Sequence, residues 1–307
     1  MNIKKSIRKI ILESRLLFEV FVFISGKKLN RKIIDRKIAG LNKKNNKEIK
    51  HIDKLIVSLT TYGERVKDVH YTLYSILDQS ILPEKIVLWV SYNDYEQNRE
   101  YLTELLDIFG THYLEIKQTK DIRSYTKLVP ALESFSDYFI LTADDDIYYK
   151  KNWLKKIWNE HEKYPEYVMC HFAHRIVLEN GRLLPYKQWK KTIKDTRAGY
   201  KIFGCGCGGV VYHKKYLYND ITNESLFLEL SPNADDIWFY FMVVLNNTKY
   251  KVVKNPCNHL KYTDIYKEYG LNKNKTLKVR NVDQGMNDIQ FNAVMQYYNL
   301  NINKLYE

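Results

Sequence analysis

The stretch Tyr138-Phe139-Ile140-Leu141-Thr142-Ala143-Asp144-Asp145-Asp146 runs an apolar segment directly into three consecutive carboxylates, and its reading decides the fold. Residues 138–142 are predicted to form a buried strand, since continuous apolar strands lie in parallel sheets covered on both faces. In an open sheet of that kind ligands sit outside the carboxyl ends of the strands, where these aspartates fall. Extended alternation would turn Asp144 and Asp146 to one side and Asp145 to the other. Like charges so close raise one another's pKa unless a cation joins them. A hard divalent ion such as Mg²⁺ or Mn²⁺, held by one or two carboxylates plus phosphate oxygens, resolves that conflict. The ordinary alternative is an acidic turn whose side chains bond the loop backbone.

Strand-like and helix-like runs alternate on both sides of this stretch. Residues 55–59 and 86–90 read as strands, 66–79 as a helix, residues around 102–109 as a second helix and 113–117 as another strand. This βαβαβ rhythm predicts an α/β, Rossmann-like layer architecture, with a mostly parallel central sheet flanked by helices. Farther on, the order becomes mixed. A helix is predicted over 153–163, a strand over 167–177, a strand after the glycine-rich segment 204–209, a helix over 235–245, a strand over 250–253 and a last helix over 287–298.

The chain has 307 residues, 45% of them apolar and 14% aromatic, which excludes disorder as its main state. Four cysteines are too few for a disulfide scaffold of this length, and a reducing compartment fits them best. The net charge of +13 is unevenly spread: residues 1–54 hold 16 Lys/Arg against 5 Asp/Glu, while the rest holds 33 against 31. The arm of residues 1–52 is thus set apart from a nearly neutral body. Its apolar run, residues 16–24, is too short for a spanning helix and is interrupted by Glu19. At helical spacing Ile3, Ile7, Ile10, Ile11, Leu17, Phe18, Phe21 and Ile24 share a face, so the arm reads as a basic amphipathic helix. It would either lie on an anionic membrane surface through residues 1–50 or pack on the body. Nucleic acid is not expected as a partner, because the charge lies outside the folded body and no base-reading module accompanies it.

Four further groups fall where chemistry is expected. Thr60, Tyr62 and Arg65 follow the first strand at the same sheet edge as the aspartates, and Arg65 can fork onto a diphosphate. Lys127 precedes the aspartate strand and can neutralise the same phosphates. Asp235 and Asp236 open a helix, where they would either cap free amides or serve as a general base. His259, after the strand at 250–253, is a candidate metal ligand with Asp144 and Asp146. Gly204-Cys205-Gly206-Cys207-Gly208-Gly209 formally matches a dinucleotide fingerprint, but a strand follows instead of the required helix. Its glycines are read as letting the backbone approach a ligand closely, with a structural role equally open.

The ordered set resembles the glycosyltransferases of the GT-A fold, especially bacterial enzymes of the family 2-like kind that build surface glycans. The residues carrying the likeness are Ser58-Leu59-Thr60-Thr61-Tyr62 with Arg65, Ser75-Ile76-Leu77-Asp78-Gln79-Ser80 with Pro83, Ala143-Asp144-Asp145-Asp146, residues 231–238 and Asn287-Asp288-Ile289-Gln290-Phe291. The aspartate triplet and the later Asp-Asp-Ile also look like the catalytic domain of exostosin-type transferases. The resemblance implies a catalytic domain over 53–307, with a nucleotide-sugar half at about 53–150, an acceptor half at about 151–262 and a helical segment at 263–307. It implies a Mn²⁺- or Mg²⁺-dependent hexosyltransferase that takes a sugar from a nucleotide sugar, first among them a UDP-sugar. The sugar would pass to a glycan or lipid-linked saccharide in capsule or lipopolysaccharide synthesis, at the cytoplasmic face of the cell membrane. By match, Asp144 and Asp145 bind the donor with Thr60, Tyr62 and Arg65, beside which Lys127 is read as a further phosphate contact; Asp144 and Asp146 hold the metal; Asp235 or Asp236 is the catalytic base if the reaction inverts, retention or inversion being open. A non-catalytic membrane- or nucleic-acid-associated adaptor with the same body is the alternative, and a metal phosphohydrolase is a rival enzyme class.

Overall fold

The computed structural model describes residues 17, 18, 20, 29–41, 50–264 and 279–306. The amphipathic helix predicted near 3–24 lies outside them except at residues 17, 18 and 20. Helix α1 (Arg31–Ala39) docks on the body: Ile34 is buried, and Arg31 donates to the two Asp68 carboxylate oxygens at 3.1 and 3.0 Å and to the Thr263 carbonyl at 3.0 Å.

In chain order there follow β1 (His51–Thr61), α2 (Val69–Leu77), β2 (Leu82–Ser91), α3 (Tyr92–Gln97), α4 (Arg99–Phe109), β3 (Leu114–Thr119), α5 (Val129–Ser134), β4 (Phe139–Thr142) and α6 (Trp153–Lys163). The second half holds β5 (Val168–Cys170), β6 (Ala173–Arg175), the hairpin β7 (Leu178–Glu179) and β8 (Arg182–Leu183), β9 (Ile202–Gly204), β10 (Val210–Tyr212), α7 (Glu224–Leu230), α8 (Asp235–Leu245), β11 (Tyr250–Val252) and α9 (Met286–Tyr297). Among the described residues a seven-stranded sheet runs β11-β5-β10-β4-β1-β2-β3, parallel throughout except for β10, which is antiparallel to both neighbours. This is the Rossmann-like GT-A architecture expected.

Strand periodicity explains the two cores. Along β1, Leu55, Val57 and Leu59 face the layer of Leu73, Ile76 and Leu105, while Ile56 faces the layer of Tyr125, Trp238 and Phe239. All of these side chains are buried, so both sheet faces are covered. Two local differences from the sequence reading have clear causes. The helix predicted from residue 66 begins as a 3₁₀ turn, Gly63–Asp68, and becomes α-helical only at Val69. The strand predicted over 167–177 breaks into β5 and β6 at His171 and Phe172, because the His171 ring is engaged elsewhere: Nδ1 accepts from the Cys257 amide at 3.0 Å and Nε2 lies 2.9 Å from the Trp153 carbonyl.

The topology also fixes where a ligand can enter. From β1 the chain moves to β2 on one side, and it later returns to place β4 on the other. The carboxyl ends of β1 and β4 therefore flank the point where strand order reverses, and a crevice opens there.

Candidate active site

Arg65 lies in the 3₁₀ turn after β1 and Lys127 in a second one, Arg123–Lys127, before α5. Asp144, Asp145 and Asp146 leave β4, and Asp235 and Asp236 form the first turn of α8. All seven side chains converge on the crevice, joined by short polar contacts. The Lys127 ammonium stands 2.7 Å from Asp144 Oδ1 and 3.2 Å from Asp235 Oδ2. Arg65 pairs with Asp145 and lies 2.9 Å from Asp146 Oδ2. Asp236 Oδ1 accepts the Gly206 amide proton at 2.9 Å.

The alternation expected of the triplet is corrected here. Asp145 and Asp146 share one guanidinium, whereas Asp144 turns to Lys127, because the chain enters a turn at Asp145 instead of staying extended. The backbone of that turn is tied from two sides. Thr72 Oγ1 lies 2.7 Å from the Asp145 carbonyl and 2.9 Å from that of Ile147, sharing its single proton between them. The Thr263 amide donates to the Asp146 carbonyl at 2.8 Å, and the Tyr148 amide donates to the Lys261 carbonyl at 2.7 Å. Residues 261–263 thus form a strap along the aspartates.

Burial and charge set the protonation. Burial disfavours the charge on Lys127, yet Asp144, Asp235 and Asp236 together hold its pKa well above the ordinary lysine value. Burial likewise works against Arg65, and Asp145 and Asp146 overcome it. Asp236 is the group pushed the other way: burial first, then the neighbouring Asp235, raise it to about 7 against the pull of Lys127 and the Gly206 amide. The two acids at the start of α8 therefore do more than complement its dipole. Neither side chain caps the helix, whose N-cap is Ala234.

Tyr149 was not among the expected site residues, although it stands beside the triplet in sequence. Its hydroxyl accepts the Asp144 amide proton at 2.9 Å and donates to the Cys207 carbonyl at 3.3 Å, while Trp153 Nε1 donates to the Gly208 carbonyl at 2.7 Å. These aromatics bind the glycine-rich segment to the aspartate loop. Gly208 and Gly209 approach other parts of the protein closely. A Cβ on Gly208 would lie 2.3 Å from Phe172 Cβ, and one on Gly209, at φ +94°, would lie 2.6 Å from the Trp153 ring.

Thr60 and Tyr62 sit at the same edge with different freedoms. The Thr60 hydroxyl donates to the Trp89 carbonyl at 3.1 Å, whereas the exposed Tyr62 ring lies 5.1 Å from the Arg65 guanidinium carbon. His259 is not brought to the aspartates. It lines a separate cleft beside β11 and α6, on whose wall none of Asp144, Asp145 or Asp146 stands. The expected Asp144, Asp146 and His259 set is therefore not assembled, and among the described residues no three His, Cys, Asp or Glu side chains are grouped as a metal cage requires. The reason is the chain's path: after β11, the outermost strand, residues 254–259 run along the sheet's edge before the strap turns in.

No curated protein matches the chain. Among solved structures, S. aureus TarS 1-349 is similar at 17% identity and a TM-score of 0.43, covering 68% of this chain and 59% of that one. The same protein in complex with UDP-GlcNAc gives 15% identity and a TM-score of 0.40, with 68% and 57% covered. The inositol-1-phosphate CTP transferase from T. maritima gives 16% and 0.40, with 73% and 96% covered. The chain thus matches less than two thirds of the length of TarS 1-349. The sequence itself fits the profile of glycosyl transferase family 2 over residues 56–220, which begins in β1, includes Arg65, Lys127 and all three aspartates of the triplet, and spans more than half of the chain. On that match the chain belongs to glycosyl transferase family 2.

Proposed function

We propose that this glycosyltransferase moves a sugar from a nucleotide-sugar donor, a UDP-sugar first among the candidates, to a hydroxyl of a glycan or lipid-linked saccharide in bacterial surface-polysaccharide synthesis. The observation carrying this reading is the convergence of Arg65 and Lys127 with five aspartates at the sheet's switch point. Two cations held against carboxylates can exchange them for diphosphate oxygens, and Arg65 can do so through a bidentate fork. Tyr62, exposed beside Arg65, offers its ring to the base or sugar of the donor.

A hard divalent ion fits the donor set. Asp144 and Asp146 offer only carboxylate oxygens, their side chains are 29% and 13% exposed, and Mg²⁺ or Mn²⁺ needs only one or two carboxylates when phosphates complete its shell. When bound, such an ion supplies neutralisation of the charge developing on the leaving diphosphate.

Asp236 is the proposed base. Asp235 is occupied by Lys127, whereas Asp236 commits one oxygen to the Gly206 amide and its pKa near 7 suits proton removal at neutral pH. An acceptor hydroxyl deprotonated there attacks the anomeric carbon opposite the leaving diphosphate, which inverts that centre. The basic arm would hold the enzyme at the inner membrane face, and vesicles of anionic and of neutral lipid test this by co-flotation of the full chain; equal partition would remove the role. For the chemistry, release of the leaving nucleotide (UDP, GDP, dTDP or CMP) is measured across UDP-, GDP-, CMP- and dTDP-sugars for the native protein and Asp236→Asn. One donor turned over by the native protein and about a hundredfold slower in the variant is expected. No release from any donor by folded protein would favour the adaptor reading.

A further inference from the structure

The cleft that holds His259 is unrelated to the aspartate site and has a chemistry of its own. Its volume is about 670 Å³, between the edge strand β11, helix α6 with the residue that follows it, and the loop before β9. Four lysines line it: Lys156 from α6, Lys194 from the loop, Lys251 from β11 and Lys254 just beyond. Glu160 is the sole acid on the wall, and among the described residues none of the four lysines forms an ion pair. The nearby Asp195 is already held by Arg175 at 2.8 Å and Arg197 at 2.7 Å. A concave surface lined by one sign of charge focuses its field and concentrates counter-ions.

Two of the lysines are fixed in place. Lys156 donates to the Asn255 carbonyl at 2.9 Å, and Lys251, buried, donates to the Thr196 carbonyl with its ammonium 4.4 Å from the Tyr164 ring centre. Lys194 and Lys254 are exposed. A second observation points to a ligand. Asn258 lines the cleft, is only 5% exposed, and its amide nitrogen has no hydrogen-bond partner. A buried amide donor without an acceptor is costly, and a rotation about its last side-chain bond that turns it to an anion in the cleft removes the cost.

We infer that this cleft binds a phosphorylated saccharide, taking its phosphoryl group on the lysines and Asn258 and its sugar ring against Tyr164. Lysine ammoniums are point charges suited to phosphate, and four of them line this wall. Tyr164 is 40% exposed and so presents a face to a sugar. Asn258 lies five residues before Thr263, whose amide holds the Asp146 carbonyl, so their backbones are at most about 18 Å apart. An oligomeric acceptor anchored in the cleft could therefore reach the aspartates. That last step rests on the acceptor being a glycan, as proposed above; binding in the cleft does not.

The test is calorimetric titration of the full chain with glucose 6-phosphate, and with glucose as the neutral control, in the presence of Mg²⁺ and saturating UDP to fill the crevice at β1 and β4. The expected result is binding of glucose 6-phosphate but not glucose, weakened at least tenfold in the Lys194→Ala/Lys254→Ala variant and by raising the salt from 50 to 300 mM. Both lysines are exposed and outside the crevice, so UDP affinity of the variant stays at the native value and serves as its folding control. Absence of binding, or binding that the double variant leaves intact, overturns the inference. Loss of UDP binding in the native protein would instead count against the proposed donor site alone.

Discussion

Lys127 Nζ stands 2.7 Å from Asp144 Oδ1 and ties the strand that ends in the aspartate triplet to the helix that begins with Asp235. The ammonium is buried, and with its partners removed it would face a large desolvation cost. The same cost falls on the acids when the lysine is removed. Lys127→Met is expected to lose about 3 kcal/mol of stability, since breaking one side of a buried pair leaves uncompensated charge. Urea denaturation of the two proteins checks this, and equal midpoints would show that the ion pair contributes nothing.

Gly208 and Gly209 are constrained by close contacts with Phe172 and Trp153. Gly208→Ala would place a methyl group where Phe172 already lies, and overpacking of this kind costs about 1 to 3 kcal/mol. Gly209→Ala adds the strain of a positive φ to a clash with the Trp153 ring. Gly110→Ala is the control: its backbone angle is also positive, but no atom lies within 4 Å of the added carbon. Thermal denaturation should rank Gly208 and Gly209 variants well below Gly110→Ala.

A base with a raised pKa leaves a signature in the pH profile. Asp236 retains its proton in the folded protein up to about 7, so kcat/KM should rise with pH through that value and level off above it. Unfolded, the same carboxyl ionises near 4, so the folded state binds the proton more tightly. The stability this group contributes is therefore complete at low pH and lost as pH rises from about 4 to about 7. A rate profile flat between pH 5.5 and 8.5 would show that Asp236 is not the base.

Much of this arrangement was legible in the sequence, and for a definite reason. Asp144 to Asp146, Thr60, Tyr62 and Arg65 each follow an apolar strand, and parallel topology alone delivers the ends of such strands to one edge. The exact pairing was not legible. Which carboxylate meets Arg65 and which meets Lys127 depends on the turn at Asp145, set by contacts from Thr72 and Thr263 far away in the chain. His259 was misplaced because its position follows from the path of residues 254–259 along the edge strand, which no local pattern encodes. Tyr149 and Trp153 follow the triplet closely in sequence, but an aromatic residue there suits a sugar face and a core equally well. In the structure both are buried, and their polar tips bind backbone around the site.

The central claim, that the crevice at β1 and β4 is a metal-assisted nucleotide-sugar site, is tested most directly by calorimetric titration. UDP-, GDP-, CMP- and dTDP-sugars are titrated into the native protein with Mn²⁺ and then with EDTA, and into Arg65→Ala and Asp146→Ala with Mn²⁺. The account predicts binding of one donor that weakens at least tenfold with EDTA and in both variants. A donor bound equally well by all three proteins, with or without metal, would contradict it.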